Sequence, residues 1–435
     1  GQVLVIGTDV VCVGTDCTKD EDAGSATWIA TRGIISPGLV DAHNHLPYNF
    51  LPEWFATQLF ENRYQWSEDL SYEAHVAPYA THRSSGSHYC PAAKWGELRS
   101  LIHGTTTVQG QSANQSCIRG GARNADHEHD LQYDHMRTTI ASPRDVTDDQ
   151  AQSFFDSIDQ ADEPTTRVAV HMTEGYAGDY VLDEFSSWAG RDPRDNRHAG
   201  RSLLYKETSV LIHGVGLTQS ELDEVAASNS KMVWSPSSNM VLYGRTAPIA
   251  EILERDIVTG IGPDWTVSGE DDMLGELRYA RKYAAEVGIS ALTPRKLWQM
   301  ATDAGATVVG LDGFIGRLEA GYRADLVVFG SGGGDPYDAV IDSRAADVEL
   351  VLVNGQGYYG AAHLREKLGR NSSCEPFDAC GTAKFLCVVD LDVNTGSEDL
   401  GTIRQQLVDI LEGNGYPPDE QYGRGDELLP LVNCN

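Results

Sequence analysis

Gly38-Leu39-Val40-Asp41-Ala42-His43-Asn44-His45-Leu46 reads as a short apolar strand whose end carries two histidines one residue apart. A strand sends residues i and i+2 to the same face, so His43 and His45 are expected to aim at one spot, about 6–7 Å apart. That is near enough to share a metal ion. The spacing alone is cheap, because the chain holds a second such pair, His127 and His129. What distinguishes the first pair is its company: three later apolar runs also end in metal-ligand residue types. Arg167-Val168-Ala169-Val170 ends in His171, followed by Met172-Thr173-Glu174. Val210-Leu211-Ile212 ends in His213, and Thr259-Gly260-Ile261-Gly262-Pro263 ends in Asp264.

From Ile34 to about Gly310, apolar runs alternate with helical stretches, the pattern of βα units around a parallel sheet. The expected fold is α/β, a (β/α)8 TIM-type barrel over residues 35–314. Strands are expected at Leu39–His43, Thr105–Gln109, Met136–Ala141, Val168–His171, Val210–His213, Met232–Trp234 and Val258–Gly262, with the third near Cys117–Asn124. In such a barrel every strand delivers its C-terminal end to one face, where catalytic groups collect. The spacings place the four ligand-bearing ends on the first, fifth, sixth and eighth strands. Helices are expected at Ala93–His103, Thr147–Gln160, Gln219–Ser228, Ile249–Arg255, Leu274–Val287 and Pro294–Val309. Strands at Gln2–Ile6, Val10–Val13 and Thr27–Thr31, with those after the barrel, predict a small β-sandwich domain from residues 1–34 plus 315–360. Residues 361–435 read as a cysteine-bearing C-terminal extension with one amphipathic helix, Gly401–Glu412.

The chain has 33 Lys and Arg against 64 Asp and Glu, a net charge of −31 over 435 residues. That argues against nucleic acid and anionic membranes as partners, since both need a cationic face. A solvated acidic surface accounts for the charge, with steering of cationic substrates as the sharper alternative. No apolar run approaches the roughly 18 residues of a membrane span. A small-molecule substrate is the expected partner, and a homo-oligomer is compatible with the sequence. The eight cysteines, two near the start and four near the end, suggest disulfides and hence a periplasmic or extracellular setting, any signal peptide having been removed. Connectivity does not follow from sequence; Cys12–Cys17 and Cys374–Cys380 are the local pairs expected first.

A lone histidine after an apolar strand is more often a core imidazole, and a lone Asp there more often a helix cap. Four coincident strand ends are another matter. With them, the chain resembles the amidohydrolase superfamily over roughly residues 1–360, through PGLVDAHNH (37–45), HMTE (171–174), LIHG (211–214), GPDW (262–265) and GRLEAGYRADLVVF (316–329). It is similar to the mononuclear branch that contains cytosine deaminase, guanine deaminase and the triazine hydrolases. Two features carry that branch: the HxxE step from His171 to Glu174, and the lack of any lysine between Lys94 and Lys206 to bridge a second ion. Trp234-Ser235-Pro236-Ser237-Ser238-Asn239 also resembles the branch's Cys-Pro-x-Ser-Asn stretch, with the cysteine replaced.

The resemblance implies one divalent metal, zinc with iron(II) as the alternative, on His43, His45, His171 and Asp264. Such an ion activates water as a nucleophile near neutral pH. Asp264 would take the first proton, Glu174 would shuttle it to the leaving nitrogen, and His213 would hydrogen-bond the developing charge or serve as a further ligand. The expected reaction is metal-dependent hydrolysis of a C–N bond, by deamination or amide hydrolysis, in a small aromatic or heterocyclic substrate. Hydrolysis of a non-aromatic carboxamide or dipeptide-like substrate, and a non-catalytic binding barrel, are the competing readings. The aromatic run Tyr48, Phe50, Trp54, Phe55, Phe60, Tyr64 and Trp66 is either loop packing or an apolar pocket wall. His127, Glu128, His129 and His135 lie in a polar segment that reads as a surface loop.

Overall fold

The computed structural model describes residues 1–80, 86–110, 121–126, 136–139, 167–189, 191, 207–369, 374–388, 398–413 and 428–434. Among these, sixteen strands occur: β1 (Gln2–Ile6), β2 (Asp9–Gly14), β3 (Ile34–Pro37), β4 (Leu39–Asp41), β5 (Thr105–Val108), β6 (Arg123–Asn124), β7 (Met136–Thr139), β8 (Arg167–Met172), β9 (Ser209–His213), β10 (Lys231–Trp234), β11 (Thr259–Ile261), β12 (Leu326–Phe329), β13 (Val348–Val353), β14 (Gln356–Ala361), β15 (Cys374–Ala379) and β16 (Thr382–Cys387). The expected helix Thr147–Gln160, the cluster at His127–His135 and most of the expected third-strand segment fall outside the described residues.

β4 to β11 are parallel and lie in two sheets, β4-β5-β6 and β11-β10-β9-β8-β7. Near-continuous apolar strands suit this, because helices cover a parallel sheet and both of its faces are buried. The two sheets meet where β4 runs beside β11: Ala42 N donates to Ile261 O at 3.1 Å and Asp264 N to His43 O at 3.2 Å. Alternation sorts the side chains. Val40, Ala42, Ala169, Val210, Ile212 and Val233 share one buried cluster, plugged by Ala306, Val308, Leu311 and Ile315. Val170, Met172 and Leu211, which intervene along the strands, join the larger cluster on the helix side. The expected helix Pro294–Val309 is two helices, Pro294–Met300 and Asp303–Val308. The Ala301 carbonyl at the break accepts Val40 N at 2.8 Å, so pairing to β4 competes with helix continuity.

Beside the parallel strands lies a six-stranded antiparallel sheet of order β15-β16-β14-β13-β12-β3, and β1 and β2 form a separate hairpin. No strand forms at Thr27–Thr31; β3, just after it, pairs with β12 instead. β15 and β16, read from sequence as part of an extension, continue this sheet through β14. Cys12–Cys17 is a disulfide as expected. Cys374–Cys380 is not: the bonds are Cys374–Cys387 and Cys380–Cys434. The hairpin register explains the correction, since Cys374 faces Cys387 across the ladder while Cys380 sits in the turn at its far end.

A buried ion pair ties the two kinds of sheet together. Arg123, the first residue of β6, donates from Nε to Asp325 Oδ2 at 2.9 Å and from Nη2 to Oδ1 at 3.1 Å. Asp325 also accepts Asn354 N through Oδ1, and its backbone carbonyl accepts Gly38 N. Both ionic side chains are about 1% exposed. Asp325→Ala strands a charge in a dry interior, and is expected to lower unfolding stability by roughly 3–5 kcal/mol, read by denaturant unfolding followed by circular dichroism.

Candidate metal centre

Four strand ends converge on one point. The His43 ring lies 5.0 Å from His45, 4.8 Å from His171 and 5.3 Å from His213, centroid to centroid. Ligand atoms of His43, His45 and Asp264 lie within 4.8 Å of one another, and so do those of His43, His171 and His213. The sequence-predicted ligands therefore fall in two overlapping triads that share His43. His43, His171, His213, Glu174 and Asp264 are buried, and His45 is partly exposed.

Backbone geometry puts them there. β8 alternation carries Ala169 to the inner cluster and sends His171 to the same side. Continued alternation would send His213 away with Leu211, but its φ of 69° turns the chain so that its ring meets His43 and His171. Asp264 (φ 72°) and Thr173 (φ 44°), between His171 and Glu174, are left-handed too. Non-glycine residues rarely adopt this region, and it persists where surrounding bonds over-determine it. Arg63 supplies such bonds behind the His171–Glu174 turn. Its Nη1 donates to His171 O at 3.2 Å, and its Nη2 to Glu184 Oε1 at 2.7 Å. Glu184 Oε2 in turn accepts Thr173 N at 2.8 Å. Asn62, in the same loop, leaves no space at Gly175, where a Cβ would sit 2.5 Å from Asn62 Cα.

One helix, Pro236–Tyr243, supports three site residues at once. Ser238 Oγ donates to Asp264 Oδ2 at 2.7 Å, Asn239 Nδ2 lies 3.1 Å from His213 Nδ1, and Tyr243 Oη donates to Glu174 Oε1 at 2.6 Å. The motif resemblance around residues 234–239 flagged the first two; Tyr243 carried no signal. Gln109, one residue beyond β5, was missed as well. It holds His43 Nδ1 at 3.0 Å, and the only sequence clue was a polar residue ending an apolar run.

The electrostatics suit a cation. Burial would push the Asp264 carboxyl up, but the hydrogen bond from His43 and the charges of the neighbouring imidazoles hold it far below the usual carboxylate range. Burial pushes His213 down to about 3, and burial with the charges of the other histidines pushes His171 down too, which leaves both rings neutral with lone pairs. Burial drives Glu174 up to about 7 against the pull of Arg63. Asp264 Oδ1 is buried 3.2 Å from His43 Nε2 and 3.3 Å from His45 Nε2, and among the described residues these two atoms, Asp264 Oδ1 and His43 Nε2, have no polar partner outside the cluster. A buried carboxylate facing ring nitrogens is costly unless positive charge, from a proton or a cation, lies between them. Imidazole nitrogens plus one carboxylate is a donor set that zinc accepts. The residues fit the metal.

An aromatic wall borders the site. Trp265 stands 5.5 Å from His45, 5.3 Å from Tyr48 and 5.7 Å from Trp66 between ring centroids, and Trp66 packs on Tyr72 at 5.0 Å. Of the aromatic run noted in the sequence, Tyr48 and Trp66 line this wall, while Trp54 and Phe60 stack on one another in the core and Phe55 is exposed.

The amidohydrolase family pattern matches residues 34–357. A 5-methylthioadenosine/S-adenosylhomocysteine deaminase of Halobacterium salinarum is 26% identical over 358 residues, 75% of this chain and 79% of that protein. A 5'-deoxyadenosine deaminase of Methanobrevibacter smithii is 23% identical, covering 82% of this chain and 85% of that one. Among solved structures, the atrazine chlorohydrolase of Arthrobacter aurescens TC1, complexed with zinc, superposes with a TM-score of 0.58 at 21% identity, over 82% of this chain and 89% of that one. That last likeness shows a shared fold.

Replacing His43 or Asp264 by alanine is expected to weaken retention of a divalent metal by roughly tenfold or more. Elemental analysis after dialysis against a weak chelator reads this directly; full retention in both variants would place the ion elsewhere.

Proposed function

The chain belongs to the amidohydrolase family, and on that footing we propose that it deaminates an amino-substituted nitrogen heterocycle at a single divalent metal. The observation that carries this reading is the convergence of His43, His45, His171 and Asp264 with Glu174 and His213 on one buried point. The first four are the ligands in this reading, and the donor set and the zinc-complexed structural relative favour zinc. When bound, the ion supplies Lewis acidity that makes water nucleophilic near neutral pH.

The protein's own groups handle the protons. Asp264, held charged by its imidazole neighbours, accepts the proton that water gives up on attacking the ring carbon. Glu174, poised near neutrality with its Oε2 3.7 Å from His213 Nε2, carries a proton to the departing nitrogen, as a group with a pKa near the working pH does best. His213 stabilises negative charge as it develops. Water and the amino-heterocycle become the oxo-heterocycle and ammonia. Trp265, Tyr48, Trp66 and Tyr72 offer faces on which a planar ring stacks. The deaminase names of the sequence relatives point to adenosine derivatives altered at the 5' position as the first substrates to try.

Three architectural readings accompany this one. The eight parallel strands are the (β/α)8 barrel of the family, spanning residues 35–314. The β1–β2 hairpin with β12, β13 and β14 is the small sandwich domain of residues 1–34 and 315–360, and residues 361–435 are an extension whose β15 and β16 continue its sheet. The disulfides suit an oxidising compartment, periplasmic or extracellular.

Zinc-loaded protein assayed on 5'-methylthioadenosine, S-adenosylhomocysteine, 5'-deoxyadenosine and a panel of aryl amides is expected to release ammonia from the adenosines. Carboxylate release from the amides alone would favour amide hydrolysis instead. Glu174→Gln keeps an acceptor for Tyr243 and should keep its metal, yet lose on the order of 10²–10⁴ in kcat; unchanged turnover would remove Glu174 from proton transfer.

A further inference from the structure

Two histidines of the site each face an amide side chain, and the two amides present opposite ends. Beside His43, Gln109 turns its Nε2 away, donating to Asp126 Oδ1 at 3.0 Å and Thr138 Oγ1 at 2.7 Å. A carboxylate accepts and does not donate, so this sense of the amide is set from behind. Gln109 Oε1 then receives the Nδ1–H of His43 at 3.0 Å, and the lone pair of His43 falls on Nε2, toward the ligand cluster. That is the tautomer a metal ligand needs.

His213 is arranged the other way. The sequence of donors begins at Trp234, whose indole N–H can only donate and reaches Thr246 Oγ1 at 2.8 Å. Thr246 passes its own proton to Asn239 Oδ1 at 3.3 Å. Asn239 is left to present Nδ2 to His213 Nδ1 at 3.1 Å, and Nδ1 must accept. Turning the amide over would aim two donors at Thr246 and leave its hydroxyl proton without an acceptor among the described residues. Trp234, Asn239 and His213 are each at most 1% exposed and Thr246 is partly exposed, so water can reach only the Thr246 end of the chain and does not readily replace a partner at Asn239 or His213.

We propose that Trp234, Thr246 and Asn239 are positioning residues that hold neutral His213 with its proton on Nε2, making it a hydrogen-bond donor in the site rather than a metal ligand. Gln109 imposes the opposite tautomer on His43. Two rings of identical chemistry, 5.3 Å apart, thereby receive different roles from the amides behind them. The division of roles rests on the metal-centre reading above; the tautomer of His213 does not.

The test is heteronuclear NMR on full-length, zinc-loaded protein labelled with 15N-histidine, with the His213 signals assigned through His213→Gln. Wild type is expected to show His213 with Nε2 protonated and Nδ1 bare. Thr246→Val keeps the bulk and removes the relay, and should give a mixture of His213 tautomers with a kcat loss of about tenfold and unchanged zinc content; Thr246→Ser should restore both readouts. Asn239→Asp places an acceptor at Nδ1, and should protonate that nitrogen while lowering kcat by roughly 10²–10³, as loss of a transition-state donor does. Nδ1 protonated in the wild type would overturn the proposal, and so would an unaltered spectrum in Thr246→Val. Expected spectra from a protein without deaminase turnover would refute the activity and leave the relay standing.

Discussion

The backbone bonds between the segment after β4 and the segment after β11 are the constraint on which the site depends. Ala42 N to Ile261 O, Asp264 N to His43 O and His45 N to Asp264 O lace together stretches more than two hundred residues apart in the chain. The lacing is tight enough that Gly262 has no room for a side chain, since a Cβ there would sit 2.5 Å from His43 O and 2.7 Å from His43 N. Because these are main-chain bonds, the distance from the two strand-end histidines to Asp264 is set by sheet geometry before any side chain is chosen. A metal bound there would meet ligand positions already fixed by the main chain.

Left-handed residues complete the geometry at the rim. His213, Thr173 and Asp264 each leave the regular strand path there, and each is held by a side chain behind it, Asn239, Glu184 and Ser238 respectively. The backbone cost at such positions is of order 1–3 kcal/mol apiece. It is offset by a shell of charge-assisted and buried hydrogen bonds, with the Arg63–Glu184 pair at its centre.

The sequence made the rim legible because ligand-type residues followed apolar runs, and chance seldom puts His, His and Asp at several such ends in workable order. Parallel strands are short and apolar, so most were plain, with bounds within a residue or two of expectation; the third, expected near Cys117–Asn124, was the least clear, and only Arg123–Asn124 is a strand among the described residues. What lay behind the rim was opaque for a physical reason. Gln109, Arg63, Glu184 and Tyr243 act by contacts made across 66, 108, 11 and 69 positions respectively, and no periodicity or spacing encodes a tertiary hydrogen bond. The disulfide error at Cys374 has the same root: proximity in sequence suggested Cys380, whereas the hairpin ladder brought Cys387 opposite. His213 was read correctly as a strand end, but the turn that brings it inward depends on one dihedral angle that a histidine does not advertise.

The helix Pro236–Tyr243 touches Asp264, His213 and Glu174 through three of its side chains, and this divides the protein's evolvability unevenly. Aromatic residues of the wall stand on separate short elements, Tyr48, Trp66 and Tyr72 in the connection between β4 and β5 and Trp265 after β11, and can drift one at a time, altering which ring is admitted. The helix cannot drift piecemeal: a single inserted or deleted residue rotates it by about 100° and misdirects its contacts in one stroke. Divergence among relatives of this chain should therefore accumulate on the substrate side, with the scaffold beneath the metal inherited as a block.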